Sequence, residues 1–171
     1  MSFSAVVRRL RKIAGREAVL ERPEDLMLYE YDAGLARSTP RAAVFPRTTE
    51  QVSDIMKLAT ETGVPIVPRG AGTGLSGGSI ALGGGIILGF ARMNRILEID
   101  LANQRAVVQP GVVNLDLSSA VLREGYYFAP DPSSQKACTI GGNVAENSGG
   151  PHTLAYGVTV NHVTGVEVVL P

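Results

Sequence analysis

The run Pro68-Arg69-Gly70-Ala71-Gly72-Thr73-Gly74-Leu75-Ser76-Gly77-Gly78 decides how this chain is read, because five of its eleven residues are glycine. Such a loop can turn successive backbone N–H groups inward and form a concave nest for a pyrophosphate. Side chains at those positions would block close approach, and Arg69 can add positive charge nearby. The plainer alternative is a flexible turn.

Three motifs compete within the run. Gly72-Thr-Gly74-Leu-Ser-Gly77 fits the dinucleotide fingerprint and follows a strand-like segment. That fingerprint must open a helix, and the following Gly78-Ser-Ile-Ala-Leu-Gly83-Gly84-Gly85 is unfit to form one. Gly74-Leu-Ser76-Gly-Gly78 fits the nucleophile elbow of hydrolases, with Asp131 and His152 downstream in the matching order. It needs the same missing helix. No Gly-Lys pair occurs, so a Walker A loop is excluded. The expectation is a phosphate cradle without a Rossmann helix.

On the N-terminal side, Pro65–Pro68 reads as a short strand and Ala43–Phe45 as another, closed by Pro46. Between them Thr48 and Gln51 make a capping box for a helix carrying Val52, Ile55, Met56 and Leu58, with Gly63 as its stop. Strand, helix, strand and loop in that order predict a parallel βαβ unit. Farther out, Phe3, Val6, Val7, Leu10 and Ile13 recur at helical spacing among basic residues. That is a surface helix or, alternatively, a membrane-surface anchor.

On the C-terminal side, Ile86–Leu88, Ile96–Ile99 and Ala106–Gln109 are strand candidates. Asn114 is placed to cap a helix over Leu115–Arg123 that Gly125 ends, and Tyr126–Ala129 is a further strand. Pro130-Asp131-Pro132-Ser133-Ser134 is a stiff polar turn into a second glycine-rich segment, Thr139–Gly150. Small residues and amides suit that segment to walling a planar polar ring system, or simply to packing as a loop. Glu146 is either a solvated group or an acid–base group; His152 and His162 could each serve as a base, but with no carboxylate beside them in sequence they read as structural. Cys138 reads as a buried filler. Val163–Leu170 reads as a strand, and a chain closing at Pro171 directly after it suggests a fragment.

Composition narrows the rest. Lys+Arg 16 against Asp+Glu 16 gives no field favouring nucleic acid. One cysteine excludes an internal disulfide, and with two histidines it is poor material for a metal site, so none is expected. No apolar run is long enough to span a bilayer, and no signal peptide is evident, so a soluble cytoplasmic chain is expected.

Seven segments, in register from about Tyr29 onward, carry a family resemblance: Tyr29–Asp32, Pro68–Gly78, Ala91–Asn94 with Ile99-Asp100, Gln109–Val112, Pro130–Ser134, Ile140–Gly150, and Tyr156-Gly157. Together they resemble the FAD-binding (PCMH) domain of vanillyl-alcohol-oxidase-type flavoproteins, nearest the FAD subunits of glycolate oxidases and the D-lactate dehydrogenases. The resemblance implies an α+β, two-lobed fold with FAD between a small βαβ lobe and a mixed sheet-and-helix lobe, incomplete at the C-terminus. The segments would be an N-terminal helical part, 1–36, and FAD-binding subdomains 37–104 and 105–171, with the substrate domain absent.

It further implies that Arg69, Gly70, Ala71, Gly72, Thr73, Gly74 and Leu75 wrap the pyrophosphate, and that Gly141, Gly142 and Asn143 lie along the cofactor. Pro130, Ser148, Gly149 and Tyr156 would lie near the flavin or its ribityl chain, and Val166 beside the adenine. Some relatives attach flavin through a histidine in the first loop; here Thr73 and no histidine stands there, which implies non-covalent FAD. The implied reaction is oxidation of a small 2-hydroxy acid of glycolate or D-lactate type. Hydride would pass to flavin N5 and electrons onward to an iron–sulfur partner or another non-NAD acceptor, a partner that could also bring the protein to the inner membrane. The catalytic base and carboxylate clamp would lie downstream of this chain. The alternatives are a non-catalytic FAD-binding remnant, or a hydrolase using Ser76.

Overall fold

The computed structural model describes residues 1–171 and is α+β, as expected. The chain divides into two compact units: Met1–Arg92 with Glu167–Pro171, and Met93–Val166.

In the first unit, helix α1 (Phe3–Ala14) buries Val6, Val7 and Leu10 and packs against helix α3 (Thr49–Thr62). Arg9 forks onto Glu61 of α3 at 2.7 and 2.6 Å. The apolar face that a membrane anchor would need is therefore used inside the protein, and no helix is long and apolar enough to cross a membrane. Strand β1 (Val19–Leu20) and the short helix α2 (Pro23–Leu26) follow, then β2 (Ala42–Val44), α3, β3 (Ile66–Arg69) and β4 (Ile86–Gly89).

The capping box at α3 forms with one difference from its usual geometry. Thr48 Oγ1 accepts from the Gln51 N–H at 3.3 Å, but the Gln51 amide oxygen accepts from Arg47 N–H, one residue before the cap. Gly63 ends the helix in the left-handed region, φ +66°.

The sheet order is β1-β2-β4-β3, with β1 antiparallel to β2 and the other pairs parallel. The βαβ unit is thus split: β2 and β3 do not pair, because β4 inserts between them. Pro68 explains the order. Lacking an N–H, it suits an edge strand, whereas the Ile86-Ile87-Leu88 run of β4 is buried throughout and suits the middle. Ile87, Ala43, Ala81 and Leu26 form the core here, flanked by Tyr29, Phe45 and Val67.

The second unit holds an antiparallel ribbon, β5 (Ile96–Asp100) and β6 (Arg105–Val108), and helices α4 (Asn114–Val121), α5 (Ile140–Glu146) and α6 (Thr153–Tyr156). Val112, Leu117 and Ile140 make its core, with Ile96, Ala106, Val108 and Phe128 against them.

The structure departs from three expectations. The N-cap of α4 is Val113, and Asn114 lies inside the helix with its side chain buried. Asn114, Leu117 and Val121 fall at i, i+3 and i+7, which puts the amide on the core face. Tyr126–Ala129 is no strand: Tyr126 N–H donates to Val121 O and Phe128 N–H to Ser118 Oγ, so the segment is tied to α4. Val163–Leu170 joins no ladder, and Val166, Val168 and Leu170 stay exposed. Its β-branched composition favours a strand only where a partner strand accepts it.

Candidate cofactor site

In the first unit, β3 delivers Arg69 to the mouth of the glycine-rich loop, and the side chain turns inward. At 6% exposure, its guanidinium donates to Tyr31 O (2.7 Å), Ser79 O (3.2 Å) and Ser79 Oγ (3.3 Å), and it stands 5.8 Å from the Tyr29 ring centre. Burial pulls its pKa down, while the charge of Asp32 opposes that shift. Ala33 N–H donates to Gly74 O, and Ser38 Oγ to Ala81 O. The loop is a laced structure, not a floppy turn.

The lacing leaves one side free. The N–H groups from Gly70 to Leu75 donate to no group of the chain. Gly72 has φ +71°, and a Cβ there would meet the Arg69 guanidinium. Gly74 differs, since a Cβ on it would meet nothing within 4 Å. A cavity of about 290 Å³ adjoins Gly70 and Ala71, lined also by Tyr29, Phe45 and Phe90. After Ser76 the chain makes turns until β4, so neither the Rossmann nor the hydrolase motif gets its helix.

In the second unit, Thr139 caps α5 by accepting from Gly142 N–H at 3.3 Å. A Cβ on Gly141 would collide with Pro110, whereas one on Gly142 would only crowd the Thr139 hydroxyl. Asn143, 1% exposed, is held from within. Its Oδ1 accepts from Asn114 Nδ2 at 2.9 Å, and its Nδ2 lies 3.3 Å from Cys138 Sγ. Asn114 Nδ2 also donates to Pro130 O at 2.9 Å. Ser148 N–H donates to Asn143 O, and Ser148 O accepts from the N–H and hydroxyl of Thr159.

Pro130, Asn143 and Ser148 are therefore one network with Asn114 at its hub. Gly149 packs on Thr153, and Gly150 on Asp131, whose backbone and side chain leave no room for a Cβ. Tyr156 is half exposed, and Val166 is exposed without a hydrogen bond.

His152 does have a carboxylate, contrary to its reading from local sequence. Its Nδ1 lies 2.6 Å from Asp131 Oδ2 and its N–H donates to Asp131 Oδ1 at 3.2 Å. A carboxylate only accepts, so Nδ1 carries the proton. Partial burial raises the Asp131 pKa, but the hydrogen bonds from His152 outweigh it and hold the carboxyl below its ordinary value. Tyr127, His152 and Tyr156 form a ring cluster with centres 6.3–6.4 Å apart. Ser76 belongs to the first unit and this pair to the second.

Residues 40–171 match the family described as FAD binding domain. The chain belongs to that family. Among relatives, this FAD binding domain is 48% identical over 166 residues to the glycolate oxidase subunit GlcD of Bacillus subtilis, covering 96% of the chain and 35% of the relative. It is 36% identical to the D-2-hydroxyglutarate dehydrogenase of Stutzerimonas stutzeri, covering 99% and 37%. The chain thus spans about a third of the length of these relatives. Among solved structures, 4-ethylphenol oxidase from Gulosibacter chungangensis superposes with TM-score 0.76 at 29% identity, covering 86% of the chain and 29% of that protein. Alkyldihydroxyacetonephosphate synthase reaches 0.83 at 22% identity, covering 92% and 32%, a likeness of fold.

The domain's cofactor is FAD, and the residues of this chain fit it. Unpaired N–H groups suit the anionic pyrophosphate. The space over Gly74 is open and would be filled by any side chain, which suits a site for phosphates.

Proposed function

We propose that this FAD binding domain serves an oxidoreductase that oxidises a 2-hydroxy acid, of glycolate or D-lactate type, to the 2-oxo acid. The observation that carries the reading is the row of N–H groups from Gly70 to Leu75 without an acceptor in the chain. Relatives named glycolate oxidase subunit and D-lactate dehydrogenase supply the substrate class. FAD, when bound, supplies the two-electron chemistry.

In this reading Gly70–Leu75 cradle the pyrophosphate, and Arg69 supports them from beneath. Gly141, whose missing side chain lets α5 pack on Pro110, lies with Gly142 along the cofactor, while Asn143, through Asn114, fixes Pro130 in place. Ser148, Gly149 and Tyr156 face the flavin or its ribityl chain, and Val166 the adenine. Binding is non-covalent, since Thr73 stands where a histidine would attach flavin. The subdomains are 37–104 and 105–171, after an N-terminal segment 1–36; they cut across the compact units, which part after Arg92. The base and the substrate carboxylate clamp lie outside residues 1–171. Electrons leave to a non-NAD acceptor, an iron–sulfur subunit being in keeping with relatives named as subunits.

The test is a visible spectrum of the purified protein before and after adding FAD, followed by acid precipitation. A flavin band that appears and passes to the supernatant is the expected result. A folded protein without a band at saturating FAD overturns the reading; a band retained in the pellet overturns the non-covalent assignment.

A further inference from the structure

Asp32 lies outside the glycine-rich loop in sequence, yet its carboxylate joins its own turn to the far end of the loop. Its carboxylate is buried, and accepts from Gly34 N–H at 2.7 Å and from Gly77 N–H at 3.0 Å. The flanking residues of the same turn grip the loop as well: Tyr31 O accepts from Arg69, and Ala33 N–H donates to Gly74 O. Gly34 sits so close that a Cβ there would lie 2.9 Å from Asp32 Oδ1 and 3.1 Å from Leu75 O. Residues 31–34 are thus fitted to the loop from Arg69 to Gly77.

The division of N–H groups is selective. The carboxylate takes the N–H of Gly77, at the rear of the loop, and takes none from the Gly70–Leu75 row. A buried carboxylate beside an anion site costs desolvation and repels the ligand. Here the nearby Arg69 guanidinium compensates the charge. What the carboxylate supplies is geometry, through two charge-assisted bonds that no neutral side chain would match.

We propose that Asp32 is a positioning residue for the phosphate cradle: by clamping Gly77 and the 33–34 turn, it holds the N–H row of Gly70–Leu75 open toward the pyrophosphate of the cofactor. The proposal rests on reading that row as the pyrophosphate site. It predicts an effect that depends on the ligand's phosphates, which a general support of the fold would not produce.

The experiment measures affinities of the full chain for FAD, ADP and riboflavin, by flavin fluorescence and by competition for ADP. Asp32→Asn keeps the shape but sets an amide NH₂ against one of the two N–H groups. It should weaken FAD and ADP by roughly tenfold or more, with riboflavin unchanged. Gly34→Ala, which leaves the charge in place but pushes on Leu75 O, should weaken the same two ligands. Should Asp32→Asn fail to fold, Gly34→Ala decides alone. Unchanged FAD affinity, or an equal loss for riboflavin, overturns the proposal. Gly74→Val separates the two levels: if it abolishes FAD binding while the Asp32 and Gly34 variants do nothing, only the positioning role falls. If Gly74→Val binds FAD normally, the pyrophosphate reading falls and takes the proposal with it.

Discussion

At the scale of single residues, the two glycines at the centre of the first loop are not equivalent. Gly72 holds φ +71° and lies against the Arg69 guanidinium, so Gly72→Val damages the loop itself. Gly74 has no such φ and faces open space. The expected outcome for Gly74→Val is a melting temperature close to wild type without FAD, and no flavin binding. Gly72→Val should lose both, with a stability cost of about 1–3 kcal/mol. Thermal melts paired with fluorescence titrations check this. Asp131 offers a second test. Its folded pKa is depressed, so its stabilisation is present above the unfolded value of about 3.9 and is lost as pH falls through the folded one. Asp131→Asn should melt below wild type at pH 7, and the gap should close in acid. A gap that persists unchanged at pH 2 would show that His152 pairing is not its source.

Among elements, α3 was legible in every part, because its signals are local: a Thr cap, a reaching Gln, an apolar stripe and a Gly stop. Thr48→Ala should cost about 1 kcal/mol, read by denaturant melts. Gly63→Ala should cost about 1–2 kcal/mol for its left-handed φ. α5 was not legible as a helix. Two glycines in its first turn speak against one, and it forms because Thr139 caps it and Ile140 and Asn143 are buried. The hub role of Asn114 escaped for the opposite reason: an Asn before an apolar run usually caps, and only the i, i+3, i+7 match with Leu117 and Val121 points inward. The partnership of Asp131 with His152 spans 21 residues and leaves no local trace. That the glycine-rich run is a loop without a following helix was legible, but its lacing by Asp32 and Arg69 acts across long sequence separations and left no local trace.

For the molecule as a whole, burial decides which substitutions matter. Ile87→Ala, at the fully buried centre of the sheet, should cost about 2–5 kcal/mol, whereas Leu154→Ala on an open surface should stay within about 0.5 kcal/mol. Chemical denaturation of both variants tests the contrast. The position of β4 has a consequence in time. It is the only strand that touches both β2 and β3, and the glycine-rich loop is the chain that joins β3 to it. Without residues 86–89 in place, β3 has no strand beside it and the loop lacks its anchor at the β4 end. On the reading that the Gly70–Leu75 row takes the pyrophosphate, the cradle is expected to form together with sheet closure, and a half-folded chain is expected to offer the cofactor little. FAD should accordingly leave the refolding rate untouched and act on the other arm alone, slowing the escape from the native state.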